Sequence, residues 1–203
     1  MIEQAIAHLK KDKRLKSIIE SIDLDYHWHP NETGDVYLKL MSSIIGQQVS
    51  VKAAAAIEQR FLNLFEDCYP HAEQVLAFDL ETLRGASLSR QKANYVQNVA
   101  QYFIDNQLFD TDWSTWSDEA IMKKLTEIKG IGEWTVQMNL MFCLNRGDIL
   151  PVKDLAIQNT MKRLYELEEK GKDLMKKMQE IGAPWRPYRT LACYYLWSWK
   201  HRW

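Results

Sequence analysis

Only three cysteines, Cys68, Cys143 and Cys193, occur in 203 residues, and they stand far apart. With no CxxC pair and no cluster, the chain offers no ligand set for zinc or an iron-sulfur centre, and reduced buried thiols are expected. Glycine (8) and proline (5) are scarce. Alternating apolar and polar residues are nearly absent, which argues against a strand-rich architecture. No apolar run approaches the roughly 20 residues that a membrane helix needs. The segment Met1 to Arg14 lacks the apolar stretch and small-residue cleavage site of a secretory signal. A soluble protein of the cytoplasm or nucleoid is expected, or of the nucleus in a eukaryote. An excess of positive charge is missing as well: 26 Lys and Arg against 27 Asp and Glu give a net charge of −1. That excludes nucleic-acid binding by bulk positive charge and leaves only local contacts, made by a few side chains and by backbone amides.

What the chain does have is apolar content, 46%, enough for a sizeable core in one body or two small lobes. Apolar residues recur three and four apart, so the fold reads as all-α. A helix is expected over residues 43–65, where Ile45, Val49, Ala53, Ile57, Phe61 and Leu64 share a face. Others are expected over 89–103, between Gly132 and Gly147, after Asp154, and over 188–199. Breaks fall at 29–34, 69–72, 109–117, 145–153 and 182–187. No internal repeat is visible.

The most informative stretch is Leu125-Thr-Glu-Ile-Lys-Gly-Ile-Gly-Glu-Trp-Thr135, in which one helix ends and Gly130-Ile131-Gly132 opens another. Glycines at this turn can take strained backbone angles and admit a phosphate, while the first amides of the next helix point outward and carry partial positive charge. Taken alone, such a GxG also suits an ordinary glycine-capped turn between helices. Its surroundings are more specific. Leu150-Pro-Val-Lys-Asp154 opens a further helix, with Asp154 standing 20 residues after Trp134.

The hairpin with an aspartate at this spacing resembles the helix-hairpin-helix DNA glycosylase superfamily, and most closely its 3-methyladenine DNA glycosylase II branch. Ser43-Ile-Ile-Gly-Gln-Gln-Val-Ser-Val-Lys-Ala-Ala54, Leu88-Ser-Arg-Gln-Lys92 and Pro184-Trp-Arg-Pro-Tyr188 fit the same pattern. The resemblance implies two helical lobes with the active site in the cleft between them. One lobe is expected over residues 36–147 and ends in the hairpin; the other combines 1–35 with 148–203. The β-rich domain that precedes the core in longer members is not expected.

Breaking an N-glycosidic bond develops positive charge on the sugar, which a fixed carboxylate stabilises. Asp154 is the candidate catalytic residue, and the same position also suits an N-cap, since the two roles can coexist. Asp148, beside Gly147, suits a turn. Bifunctional members of the superfamily carry a lysine two residues after the second hairpin glycine; Trp134 stands there, and neither Lys129 nor Lys153 matches. The resemblance therefore implies simple hydrolysis to an abasic site without strand nicking.

An aromatic pocket suits a flipped, electron-poor base. With eight tryptophans available, Trp134 is the first candidate for a pocket wall. Tyr194 follows by family position, with Trp197 and Met138 as neighbours, and core packing is the alternative for each. DNA contacts are expected from Gly130, Ile131, Gly132 and Thr135. Gln48, or alternatively Gln47, is expected to plug the gap left by the flipped base. The resemblance further implies a monovalent cation, Na+ or K+, on the backbone carbonyls of Thr126, Ile128 and Ile131, and no other cofactor. The expected partner is duplex DNA containing damaged bases, bound by a monomer with no obligate protein partner and no membrane. The competing readings are a glycosylase for another lesion, a non-catalytic DNA-binding hairpin module and a helical domain without a DNA partner.

Overall fold

A computed structural model describes residues 2–24 and 34–200. The expected break at 29–34 lies almost wholly outside them. Twelve α-helices occur among the described residues: α1 (Ile2–Leu9), α2 (Lys13–Ser21), α3 (Val36–Gly46), α4 (Val51–Leu62), α5 (Ala72–Ala77), α6 (Leu80–Gly85), α7 (Arg90–Asp105), α8 (Asp118–Leu125), α9 (Glu133–Phe142), α10 (Leu155–Tyr165), α11 (Gly171–Gly182) and α12 (Arg189–Lys200). Two short 3-10 turns, Trp113–Thr115 and Ala183–Trp185, complete them. No strand occurs among the described residues, in keeping with the all-α expectation, and none of these helices is long and apolar enough to cross a membrane.

The chain divides into two compact units, Met1–Glu32 with Leu140–Trp203 and Thr33–Asn139. The division between Asn139 and Leu140 falls inside α9, short of residue 147.

In the unit Thr33–Asn139, α7 is the central helix and packs against α3, α5 and α6. Its buried face, Ala93, Val96, Val99, Ala100 and Phe103, follows the three-and-four spacing of a helix stripe. Side-chain caps start its helices: Asp35 accepts from the Leu38 amide, Ser50 from Ala53, Asp79 from Thr82, Ser89 from Lys92 and Ser117 from Ala120. Each such cap contributes about 1 kcal/mol.

The single helix expected over 43–65 is in fact α3 and α4, separated at Gln47–Ser50. Gln48 sits in the left-handed region at φ 57°, and Ser50 restarts the helix as its cap. The apolar periodicity carries across this break only by coincidence, since Val49 is 38% exposed.

In the other unit, α12 packs against α10 and α2. Asp12 ties three elements together. Its Oδ1 caps α2 through the Arg14 and Leu15 amides, while Oδ2 accepts the Tyr165 hydroxyl (2.7 Å) and the Trp185 indole N–H (3.0 Å). Burial, with the Asp12 hydrogen bond second, pushes the Tyr165 phenol well above its ordinary value. Gly182 ends α11 against the loop that precedes α10, where a Cβ would lie 2.5 Å from Leu150 Cδ2.

Candidate active site

Asp154 caps α10. Its Oδ1 accepts the Ile157 amide at 2.9 Å and also the indole N–H of Trp197 at 3.1 Å. The loop that delivers it, residues 145–153, is fastened to one face of α12 at successive turns. Arg189 donates through Nε to Asp148 Oδ1 (2.6 Å) and through Nη2 to Oδ2 (3.0 Å) and to the Asp148 carbonyl. Thr190 donates its hydroxyl to the Arg146 carbonyl (2.6 Å) and accepts the Ile149 amide (3.0 Å). One turn on, the Cys193 thiol lies 3.7 Å from the Ile149 carbonyl. A further turn brings Trp197 to Asp154. Residues 189, 193 and 197 lie four apart, so they form one stripe that grips the loop from Asp148 to Asp154. Burial first, and the nearby Asp154 charge second, push the Cys193 thiol up; Cys143 is buried too, as expected, whereas Cys68 is exposed, against the expectation of buried thiols.

Asp148 is therefore more than a turn residue. Arg186 adds a third ion-pair contact, Nη1 to Oδ2 at 2.7 Å, which explains why the arginine of Pro184-Trp-Arg-Pro-Tyr188 accompanies the aspartate loop.

Beside Asp154, Trp197 stacks on Phe142 with centroids 5.7 Å apart at 29°, and Tyr194 meets both rings edge-on at 5.7 and 5.9 Å. Burial raises the Tyr194 phenol above its ordinary value. Phe142 is 42% exposed and was not among the expected site residues. The signal was present: Trp134, Met138 and Phe142 stand at i, i+4 and i+8 on α9.

Trp134 and Met138 belong to the unit Thr33–Asn139. Trp134 is 39% exposed and Met138 is buried.

The hairpin of this unit lies between α8 and α9. Gly130 has φ 108°, and a Cβ there would fall 2.4 Å from Tyr95 Cγ, so both backbone angle and packing require glycine. Gly132 has an ordinary φ and nothing within 4 Å of where a Cβ would be; its role is open space, not backbone strain. Ile131 and Thr135 are buried, so their available contribution to a ligand is through the backbone. The hairpin is held from behind by Gln47 Nε2 at 3.5 Å from the Gly130 carbonyl and by Asn98 Nδ2 at 3.0 Å from the Lys129 carbonyl. Lys92 donates to the Ile45 carbonyl at the C-terminal end of α3 (2.7 Å), where a cation is favoured; its burial lowers its pKa. Gln47 is thus tied to the hairpin, whereas Gln48 is exposed on its left-handed backbone.

The chain from residue 41 to 187 matches the HhH-GPD superfamily of base excision DNA repair proteins. YfjP of Bacillus subtilis is 37% identical over 80% of this chain, which spans 58% of that relative. The solved 3-methyladenine DNA glycosylase Mag1 of Schizosaccharomyces pombe, in complex with abasic DNA, is 31% identical with a TM-score of 0.77, covering 96% of this chain and 95% of Mag1. A DNA-3-methyladenine glycosidase structure from Bacillus halodurans is 34% identical with a TM-score of 0.78, over 95% of this chain and 87% of its own. The hairpin and Asp154 both lie inside the matched span, and the chain belongs to the HhH-GPD superfamily, on the branch of the DNA-3-methyladenine glycosylases.

Proposed function

We propose that this protein is a monofunctional DNA glycosylase that releases alkylated purines of the 3-methyladenine type from duplex DNA and leaves an abasic site. The observation that carries the reading is Asp154, a carboxylate held by the Ile157 amide and the Trp197 indole beside the ring cluster of Phe142, Tyr194 and Trp197. The enzyme turns the damaged nucleotide out of the duplex. As the bond between C1′ and the base nitrogen breaks, the base leaves with the bonding pair, and a cationic alkylated purine departs neutral. The sugar becomes oxocarbenium-like, and Asp154 stabilises its charge. Water adds to C1′, and its proton leaves to solvent.

Aromatic faces favour a cationic base through their quadrupole. A Schiff-base route has no lysine at the hairpin position, which Trp134 fills. The hairpin grips a backbone phosphate with the first amides of α9, in the open space beside Gly132. Gln48, exposed on a left-handed backbone, fills the gap in the base stack. The carbonyls of Thr126, Ile128 and Ile131 would hold a monovalent cation. The Ile128 oxygen already accepts the Ile131 amide at 3.0 Å, and its second lone pair leaves room for an ion. Such an ion would rigidify the turn that presents the amides.

The test is release of free base from methylated duplex DNA, with strand breaks scored before and after hot alkali. Free methylated purine with breaks only after alkali supports the reading. Breaks before alkali would contradict the monofunctional mechanism. No release from methylated DNA, but release from oxidised or mismatched duplexes, would move the specificity to another lesion.

A further inference from the structure

In the unit Thr33–Asn139, a surface groove of about 570 Å³ opens beside the hairpin, lined by Arg90, Gln91, Asn94, Tyr95 and Asn98 of α7 and by Lys129. Its lining holds two cations, three carboxamides and a phenol, and no carboxylate. That balance stands out in a chain whose net charge is −1. Arg90 and Lys129 are exposed, and neither side chain has an ion-pair partner among the described residues. Each carboxamide spends one donor inside the protein: Gln91 on the Tyr95 hydroxyl (2.6 Å), Asn94 on the Arg90 carbonyl (2.9 Å) and Asn98 on the Lys129 carbonyl (3.0 Å). An amide NH2 carries two donors, so each retains one.

The groove is fastened to the hairpin itself. The Tyr95 ring fills the space behind Gly130, and Asn98 holds the Lys129 carbonyl. From Arg90 to Asn98 the groove runs about 12 Å along the helix axis, roughly the rise of three to four nucleotides of one strand.

We propose that this groove is a second phosphate-binding track, which takes the DNA backbone immediately adjacent to the phosphate held by the hairpin, with Arg90 and Lys129 neutralising it and Gln91 and Asn94 donating to it. The proposal rests on the reading of the hairpin as a DNA grip and extends the footprint along α7. It also fits a chain whose net charge is −1: two cations with no carboxylate in the same groove supply a local contact beside the phosphate-gripping amides.

The experiment measures binding of a labelled short duplex containing one stable abasic analogue, across a range of salt concentrations. It compares wild type with Arg90→Ala/Lys129→Ala, with Asn94→Asp, and with the control Lys172→Ala/Lys176→Ala, whose lysines are exposed in the other unit. Each lost phosphate contact lowers the slope of log K against log salt by about 0.9, so the Arg90/Lys129 pair is expected to lower it by about 1.8 and to weaken binding at low salt by at least about ten-fold. Asn94→Asp, which keeps the side chain's size and adds negative charge, is expected to weaken binding with both cations intact, and the control to match wild type. Variants that bind with wild-type affinity and slope would overturn the track while leaving the hairpin reading in place. A wild type whose binding shows no salt dependence would overturn both.

Discussion

The indole N–H of Trp197 donates to Asp154 Oδ1 at 3.1 Å, the same oxygen that caps α10 through the Ile157 amide at 2.9 Å. A carboxylate held by two donors from different helices has a fixed orientation, which electrostatic stabilisation of a developing cation requires. Trp197→Phe keeps an aromatic ring beside Phe142 and removes the donor together with part of the ring area. A hydrogen bond to a charged group is worth about 1.5–3 kcal/mol. With about half of that reaching the transition state, single-turnover base release falls about 4- to 12-fold. An unchanged rate in the folded variant would assign Trp197 to packing alone.

The two hairpin glycines are expected to fail differently. Gly130→Ala combines a left-handed backbone with a 2.4 Å approach to Tyr95 and should cost about 2 kcal/mol or more in urea unfolding. Gly132→Ala meets nothing within 4 Å, so it should leave stability near wild type and weaken DNA binding. Equal stability losses in the two variants would contradict this division.

The Asp148 clamp predicts an asymmetry between its two arginines. Asp148→Ala leaves Arg189, only 18% exposed, without its carboxylate, and should destabilise by about 2–3 kcal/mol. Arg186→Ala removes a contact from a side chain 62% exposed and should cost under about 1 kcal/mol. Denaturant midpoints at constant m-value measure both.

Alkaline pH should weaken the fold through Tyr165. Burial and the bond to Asp12 raise its folded pKa above the unfolded value of about 10. Its contribution is therefore fully present below about pH 10 and is lost as pH rises beyond that, where the unfolded chain sheds the proton first. Tyr165→Phe should lower stability near neutral pH by about 1 kcal/mol and make the alkaline fall shallower. It would not abolish that fall, because Tyr37, Tyr69 and Tyr102 are shifted upward as well. An alkaline slope identical to wild type would exclude Tyr165 as a contributor.

The hairpin and Asp154 were legible because backbone geometry and helix capping impose residue types at fixed positions: glycine at φ 108° and a short carboxylate before an apolar-periodic helix. The break at Gln47–Ser50 was hidden because apolar residues on α3 and α4 kept a helical spacing across it; Gly46, which ends α3, was its one signal, and the left-handed position two residues later is filled by Gln48 and not by a glycine. Phe142 was missed although it continues the stripe of Trp134 and Met138. The stripe made of Arg189, Cys193 and Trp197 was not visible either, because its partners lie about 40 residues earlier. Sequence spacing shows that such residues share a helix face but not what that face touches.

The most direct measurement is single-turnover base release from methylated duplex DNA by wild type and Asp154→Asn, with affinity for an abasic-analogue duplex measured in parallel. Asparagine also caps a helix, so the variant should fold. Its release rate is expected to fall by about 100-fold or more while its DNA affinity stays within a few-fold of wild type. Release near the wild-type rate would contradict the assignment of Asp154 as the stabilising carboxylate, and with it the mechanism.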